Sequence, residues 1–337
     1  MVVSLRSLAV LLLITFATST LEAQQDRASL LTREKKLREK FEELVREHSF
    51  EDDRVLRTLD EHADVLFLLT DYKEALKRYE KLQKAQFRAL SKDSETHVHT
   101  GLNIAKCHAG MGKDRKAKST IKTLKKYCRK NYERAKKLSM FETIAIELHG
   151  MYLYEESAET YKEVLDNYED TYGSEDLKTL SAAIGYTASL IELDRGEEIE
   201  KVATDALEIF EKHHPDSSGN LYLRNNISYY YVRKQRFKEA HATLAPVIGR
   251  LADQTNLAFD FKLIMRENHV IALAAIDREA EALPLIEELI KDLKKNPLRN
   301  RGKIASMEEL RDECKGLTEE SPTPAPGKPP EAEGTGS

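Results

Sequence analysis

One residue pattern recurs six times along this chain at a nearly constant spacing, and this repetition constrains the fold more than any other feature. Small or apolar residues mark the equivalent positions, which we call anchors: Ala75, Ala117, Ser157, Ile199, Ala240 and Ala282. They are separated by 42, 40, 42, 41 and 42 residues, and mostly apolar or small residues recur 12 and 9 positions before each anchor and 4 and 7 positions after it. A period of this length is typical of stacked helical hairpins, none of which can bury its apolar face alone.

The segments that flank the repeats have different compositions. Residues 24–52 predict an amphipathic N-terminal capping helix, for which a dimerising coiled coil is the alternative. Six repeats then occupy residues 53–296, a C-terminal capping helix is predicted over residues 297–318, and residues 319–337 form a Pro- and Glu-rich tail that we expect to be disordered. The predicted fold is all-α, a right-handed α-solenoid closed by a helix at each end.

The first 23 residues have the features of a secretory signal peptide. Arg6 gives a short positive region, residues 8–16 are apolar except for Thr15, and the small residue Ala23 precedes Gln24. The apolar run is much shorter than the ~20 residues that span a bilayer, so we expect no transmembrane span in the mature chain. We predict cleavage near Ala23 and export to a periplasm or to the outside of the cell; an uncleaved anchor is the alternative.

Three cysteines in an exported chain raise the question of a disulfide bond. Cys107 lies ten residues before its anchor and Cys128 eleven residues after the same anchor. In a hairpin that turns near Gly112, they are roughly 18 Å apart along the helix axis, at ~1.5 Å per residue. This separation exceeds the ~7 Å limit for bridged Cα atoms. We therefore predict no bridge between them.

Several motifs indicate the kind of repeat. The second helix of a repeat opens with Tyr72-Lys73-Glu74-Ala75 or Phe237-Lys238-Glu239-Ala240, and His214-Pro215-Asp216 lies between two repeats. Together with the 42-residue period, these motifs resemble tetratricopeptide repeats, in particular the kinesin-light-chain-like variety. The resemblance covers about residues 55–295.

The resemblance implies that the first helix of each repeat lines a concave groove, where a partner peptide binds. It also implies that an Asn side chain 14 residues before the anchor bonds the peptide backbone through its donor and its acceptor. The candidate groove residues are Asn103, Lys106, Tyr222, Asn225, Asn226, Tyr229, Arg233, Glu267 and Asn268. Repeats one, three and four have Glu61, Thr143 and Gly185 at the Asn position, so we expect an interrupted ladder.

Charge is unevenly distributed along the repeats. Residues 113–137 hold twelve Lys or Arg and two acidic residues, a net charge of +10, whereas residues 142–211 hold nineteen acidic residues and four cations, a net charge of −15. Three interpretations stay open: solvated helix faces, attraction of an acidic partner or polyanion, and head-to-tail association between copies. Nucleic acid is not an expected partner because few aromatic residues accompany the basic stretch.

Catalytic and metal-binding motifs are weak. Gly110-Met111-Gly112-Lys113 lacks the first Gly and the final Ser or Thr of a phosphate-binding loop, and no nucleophile accompanies an organised base. We therefore predict a non-enzymatic scaffold without a cofactor or metal, which binds a protein or peptide partner in its groove. The alternative is an assembly protein that self-associates, or that binds an anionic polymer or surface at the cell envelope.

Overall fold

The computed structural model describes residues 20–320 except 93 and 256, with side chains from residue 27 to residue 318. Regular structure in these ranges is entirely helical. The helices are α1 (Thr20–Glu47), α2 (Asp53–Leu68), α3 (Tyr72–Ala89), α4 (Thr96–Gly110), α5 (Asp114–Asn131), α6 (Arg134–Gly150), α7 (Tyr154–Tyr172), α8 (Leu177–Glu192), α9 (Gly196–His213), α10 (Ser218–Arg233), α11 (Phe237–Ile248), α12 (Phe259–Ala274), α13 (Glu279–Leu293) and α14 (Arg301–Glu320). The predicted signal segment falls outside the described residues up to position 19, and so does the predicted tail from position 321 onward.

The helices form two compact units, which meet in sequence within α10. In the N-terminal unit, residues 20–230, each helix from α1 to α9 packs against the next one along the chain, and α10 packs on α9 through Gly219 and Phe210. In the C-terminal unit, residues 231–320, α11 packs on α12, α12 on α13, and α13 on α14. This succession of helical hairpins confirms the predicted all-α solenoid class.

The repeat register of the sequence is the packing register of the structure. Each anchor is the fourth residue of a second helix (α3, α5, α7, α9, α11 or α13), and each has an exposed fraction of 0%. The small residues 12 positions earlier, from Ala63 in repeat one to Val270 in repeat six, are at most 1% exposed. Apolar side chains 4 and 7 positions after the anchors fill the remaining space, with Tyr79 and Leu82 as the first pair. Burial of these periodic faces is the main source of stability.

All six hairpin turns close in the same way. The residue five positions before each anchor has a left-handed backbone, with φ between 57° and 68°; these residues are Thr70, Gly112, Tyr152, Asp194, Gln235 and Asp277. The following residue donates its N–H to the carbonyl nine positions before the anchor, as Asp71 does to Leu66 and Arg278 to Leu273. This is the Schellman closure of a helix end. Glycine occupies the left-handed position only in repeat two, so in the other five repeats a non-glycine residue is held in a conformation that costs about 1–2 kcal/mol.

The segments at the two ends of the repeats are also helical. In α1, Leu37 is 7% exposed, and the carboxylate of Glu34 lies 3.0 Å from Nε2 of the buried His62 in α2. In α14, Ile304 and Met307 pack into the core of the C-terminal unit. In the described part of the chain, no helix is both long enough and apolar enough to cross a membrane.

Cysteine pairing agrees with the expectation from hairpin geometry. Cys107, Cys128 and Cys314 are free thiols, each at most 1% exposed. Burial raises the pKa of Cys107 to about 12 and the pKa of Cys128 and Cys314 to about 11. They act as small apolar core residues.

Helix α11 is the shortest of the six second helices. Helix α11 has 12 residues, whereas α3, α5 and α9 have 18 each. Pro246 lies in the last turn of α11, which ends two residues later, at Ile248. Because Pro has no N–H and crowds the preceding turn, it weakens helix continuation at this point. A cavity lies beside this end, lined by Leu251, Phe259 and Leu263 among others.

Candidate functional site

The first helices of the repeats share one solvent-accessible face. In α6, α8 and α10, the residues 18, 15, 14, 11 and 7 positions before the anchor are exposed or half-buried. In α2 and α4 the same positions are open, except that Leu102 in α4 is 2% exposed. None of these positions coincides with the packing positions at 12 and 9 residues before the anchor. We call this set, on α2, α4, α6, α8 and the part of α10 up to residue 230, the open face of the N-terminal unit.

Asn103 and Lys106, two of the predicted groove residues, lie on the open face of α4. Asn103 is half-buried, and its amide makes no hydrogen bond within the described residues. Lys106 forms an ion pair with Glu147 of α6, with Nζ to Oε2 at 3.2 Å, and its Nζ also lies 6.0 Å from the ring centroid of Phe67 in α2. Lys106 therefore links three successive first helices and holds a cation at the middle of the open face.

Glu142 plays the corresponding part between α6 and α8. Ser181 of α8 donates a hydrogen bond to its Oε1 at 3.0 Å, and Tyr168 of α7 donates one to its Oε2 at 3.1 Å. Neighbouring open positions carry apolar side chains, since Ile146 is 55% exposed and Ile184 is half-buried. The middle of the open face therefore combines fixed polar groups with accessible apolar area.

The end of the open face on α2 is acidic. Asp60 is half-buried, and burial together with the nearby charges of Asp64 and Glu61 raises its pKa to about 6. Tyr79 of α3 donates a hydrogen bond of 2.5 Å to the carboxylate of Asp64. Because like charges crowd this end, a cationic group bound there would relieve their repulsion.

A steric contact explains why repeat four has Gly185 where repeats two and five have Asn. A Cβ atom at residue 185 would lie 2.2 Å from Cζ of Tyr161 and 2.6 Å from its hydroxyl oxygen. The ring of Tyr161, which is 6% exposed, packs directly on the α8 backbone at this position. Repeat four therefore uses this position for packing, and an Asn side chain would not fit.

Four further predicted groove residues lie on the open face of α10. Tyr222 is 39% exposed, and Asn225, Asn226 and Tyr229 are half-buried. They follow one another at spacings of three, one and three residues, so they share one side of the helix. Two amides and two phenols form a surface that can bond a polypeptide backbone and also contact apolar side chains.

The remaining predicted residues belong to the C-terminal unit. Arg233 is exposed, Glu267 forms an ion pair of 2.5 Å with Lys303 of α14, and Asn268 is 7% exposed. Asn268 is therefore buried, whereas Asn103 and Asn226, its counterparts in repeats two and five, are half-buried.

The sequence did not indicate Glu142 as a member of the open face, nor Phe67 and Glu147 as the residues that contact Lys106. The repeat register places all three on first helices, but their connections depend on which side chains meet between neighbouring repeats. No local motif indicates these contacts.

No protein-family model matches the sequence, and no curated protein matches it at a significant score. Solved structures with a similar arrangement include the kinesin light chain TPR-like repeats of Podosopora anserina, which are 16% identical with a TM-score of 0.47 over 60% of this chain and 97% of that one. BtubC from P. vanneervenii is 12% identical with a TM-score of 0.47, over 79% of this chain and 96% of that one.

A third similar structure is the C-terminal part of a TPR repeat-containing protein from Cytophaga hutchinsonii, 17% identical with a TM-score of 0.44 over 77% of this chain and 89% of that one. The anchors and the six matching turn closures of this chain define the architecture of its repeats. Its architecture is that of a tetratricopeptide-like repeat.

Ion pairs between the second helices of these tetratricopeptide-like repeats neutralise part of the uneven charge. Between α5 and α7, Lys118 pairs with Glu156 at 2.5 Å, and Lys125 and Arg129 both pair with Glu163 at 2.9 Å. Because of these two cations, the pKa of the half-buried Glu163 lies below its usual value although burial opposes the shift. Basic repeat two and acidic repeat three are thus joined side by side.

Proposed function

We propose that this protein is a non-enzymatic interaction scaffold that binds an extended segment of a partner protein along the open face. The observation that carries the proposal is that five successive first helices leave the same positions exposed or half-buried, except for Leu102, while the residue 12 positions before each anchor stays buried. Such a surface offers one small set of contacts per repeat, which suits a partner in an extended conformation.

The chemistry of the open face defines the kind of segment that it fits. The amides of Asn103 and Asn226 make no hydrogen bond to another described residue, so both can bond a partner backbone. Ile146 and Ile184 offer apolar contact in the middle, and the acidic α2 end favours a Lys or Arg side chain. The expected partner segment is therefore extended, with apolar residues at its centre and a cation near one end.

We also propose that the scaffold acts after export. The support is the N-terminal sequence, with its positive region, short apolar run and Ala23 before Gln24. Expression of the full chain in a secreting host tests this proposal. N-terminal sequencing of the exported protein should begin near Gln24, and retention of the uncleaved chain in the cell would refute it.

The binding proposal is tested by capture of partners with the mature chain, followed by affinity measurement with the identified segment. The variant Asn103→Ala/Asn226→Ala/Tyr229→Ala removes two amides and one phenol from the open face. We expect its affinity to fall at least tenfold, since each lost hydrogen bond contributes about 0.5–1.5 kcal/mol.

The matched control is Thr204→Ala/Glu208→Ala/Lys212→Ala, which changes three exposed residues of second helix α9. This control should bind like the unmodified protein. Equal affinities for both triple variants, with unchanged helicity, would refute the assignment of the open face.

A further inference from the structure

The second helices of repeats one and two present an exposed basic surface, opposite to their buried anchors. It comprises Lys73 and Lys84 on α3 and Arg115, Lys122, Lys126 and Lys130 on α5, which we call the basic face. All six side chains are exposed, and within the described residues none of them has an ion-pair partner. Glu80, also exposed, is the acidic residue among them.

The lack of partners contrasts with the cations on the adjacent side of α5. Lys118, Lys125 and Arg129 point toward α7 and are paired with its carboxylates. The acidic residues of α7 therefore neutralise one side of α5 and leave the basic face with its full charge. On α5 alone, Arg115 to Lys130 span about 22 Å, at 1.5 Å per residue.

Apolar side chains lie at one end of the basic face. Phe87, near the end of α3, is 51% exposed, and Leu90 is 37% exposed. The Phe87 ring lies 5.9 Å from that of Tyr127 on α5 and stacks on His97 at 4.5 Å. These contacts join α3 and α5, and they place exposed apolar area on α3 three residues after Lys84.

We infer that the basic face docks this protein on an anionic lipid bilayer. Lysines are strongly hydrated point charges, so lysines spread over two helices suit the diffuse potential of a charged surface. Each basic residue near such a surface contributes about 1 kcal/mol to the free energy of binding. Interfaces between proteins have a central region with few charged residues. The basic face has no such region, because it is charged along its whole length. Exposed Phe87 and Leu90 are positioned to enter the headgroup region once the lysines have brought the face to it.

The same helix face one repeat later fixes the orientation of docking. On α7 the equivalent positions carry Glu155, Asp166 and Asp170, all exposed, with Lys162 as the cation among them. An anionic surface repels these carboxylates and attracts α3 and α5. The protein should therefore lie with repeats one and two toward the bilayer. The inference does not depend on the open face, because the two surfaces share no residue.

The test is co-sedimentation of the mature chain with vesicles. Vesicles of phosphatidylcholine with about 30% phosphatidylserine should bind the protein at low salt, and vesicles of phosphatidylcholine alone should not. Raising the salt concentration toward 1 M, where the Debye length is about 3 Å, should release most of the protein. The variant Lys122→Gln/Lys126→Gln/Lys130→Gln should lower the partition coefficient about a hundredfold.

The matched control makes the same change in net charge elsewhere in the N-terminal unit. Lys162, Lys201 and Lys212 are exposed cations on second helices α7 and α9, and Lys162 lies five residues after its anchor, as Lys122 does. Replacing these three lysines by Gln should leave vesicle binding within about threefold of the unmodified protein, since the bilayer potential falls off within a Debye length.

A fluorescence reporter tests the orientation directly. The chain contains no Trp, so Phe87→Trp would be its only source of Trp emission. This emission should shift to shorter wavelength when anionic vesicles are added. Tyr152→Trp is the matched reporter, because Tyr152 is 75% exposed in the turn between α6 and α7, and its emission should not shift.

Three results would overturn the inference. The first is equal loss of binding in the two triple-Gln variants, because net charge would then explain the attraction. The second is binding of soluble heparin or nucleic acid without binding of anionic vesicles, which would make the basic face a polyanion site. The third is salt-sensitive self-association without vesicle binding, in which case a second copy would cover the basic face.

Discussion

Because Gly185 contacts the Tyr161 ring, we expect the substitution Gly185→Ala to lower the stability of the protein. Replacing Gly by Ala inside a helix normally stabilises it by up to about 1 kcal/mol. At Gly185, however, the added Cβ would meet the Tyr161 ring at 2.2 Å, far inside van der Waals contact. The ring is 6% exposed and cannot move away freely. Overpacking of this kind costs about 1–3 kcal/mol, so we expect Gly185→Ala to destabilise the protein by on the order of 1 kcal/mol.

Gly150 provides the matched control for this prediction. It is the last residue of α6, and a Cβ atom there would meet nothing within 4 Å. Gly150→Ala should therefore be neutral or slightly stabilising. Urea unfolding followed by far-UV circular dichroism measures both changes as shifts of the midpoint. Since repeat proteins can unfold in several steps, the slope of the transition must be compared as well.

A double variant separates the steric cause from other effects of the substitution. Tyr161→Leu removes the ring and will be destabilising by itself because it leaves a cavity. In that background Gly185→Ala should become neutral or stabilising, giving an interaction free energy of about 1–3 kcal/mol between the two sites. If the two changes are instead additive, the ring contact does not determine the residue at position 185.

Three further predictions concern the turns, the thiols and the titrating groups. Tyr152→Gly should raise stability by about 0.5–1 kcal/mol, because Tyr152 is 75% exposed and has φ of 61°; a lower unfolding midpoint would contradict this. Cys107, Cys128 and Cys314 should not react with a thiol reagent at pH 8 in the folded protein and should all react in urea, because each is buried with a raised pKa. Burial and the neighbouring His241 and Arg278 lower the pKa of His269 to about 4 from its usual 6.5. The unfolded chain therefore binds the proton more readily than the folded protein does. As a result, the free energy of unfolding should fall by about 2–3 kcal/mol as the pH drops from 7 toward 4. Unfolding midpoints at several pH values should show a weaker decline for His269→Gln, and an equal decline would exclude His269 as the cause.

The packing of each repeat could be read from the sequence because burial selects residue type directly. The anchors and the residues 12 positions earlier are mostly small, since two helices approach closely there, and their period is visible without any structure. The turns were less predictable. Tyr152 and Gln235 adopt the left-handed conformation although neither is Gly or Asn, because packing of the two helices on either side imposes the closure.

The candidate site was predictable only where it follows the repeat. Asn103 and Asn226 lie on the open face, at the position that the family resemblance suggested. Asn268 has the same position in its repeat and is nevertheless 7% exposed. The links from Lys106 to Glu147 and from Ser181 to Glu142 join side chains about 40 residues apart. Such contacts depend on how one repeat lies against the next, which local patterns do not specify.

Because the packing positions and the open positions are different residues, substitutions on the open face can change binding without a change in stability. On first helices the core uses the residues 12 and 9 positions before the anchor, whereas the open face uses those 18, 15, 14, 11 and 7 positions before it. A substitution such as Asn103→Lys should therefore alter binding with little change in stability, whereas Ala105→Lys, two residues later, would bury an unpaired charge and unfold the repeat. Two positions are exceptions, because Leu102 in repeat two is 2% exposed and Gly185 in repeat four is packed by the Tyr161 ring. Specificity in this protein can thus vary at the other open positions, but at positions 102 and 185 it is tied to the stability of the fold.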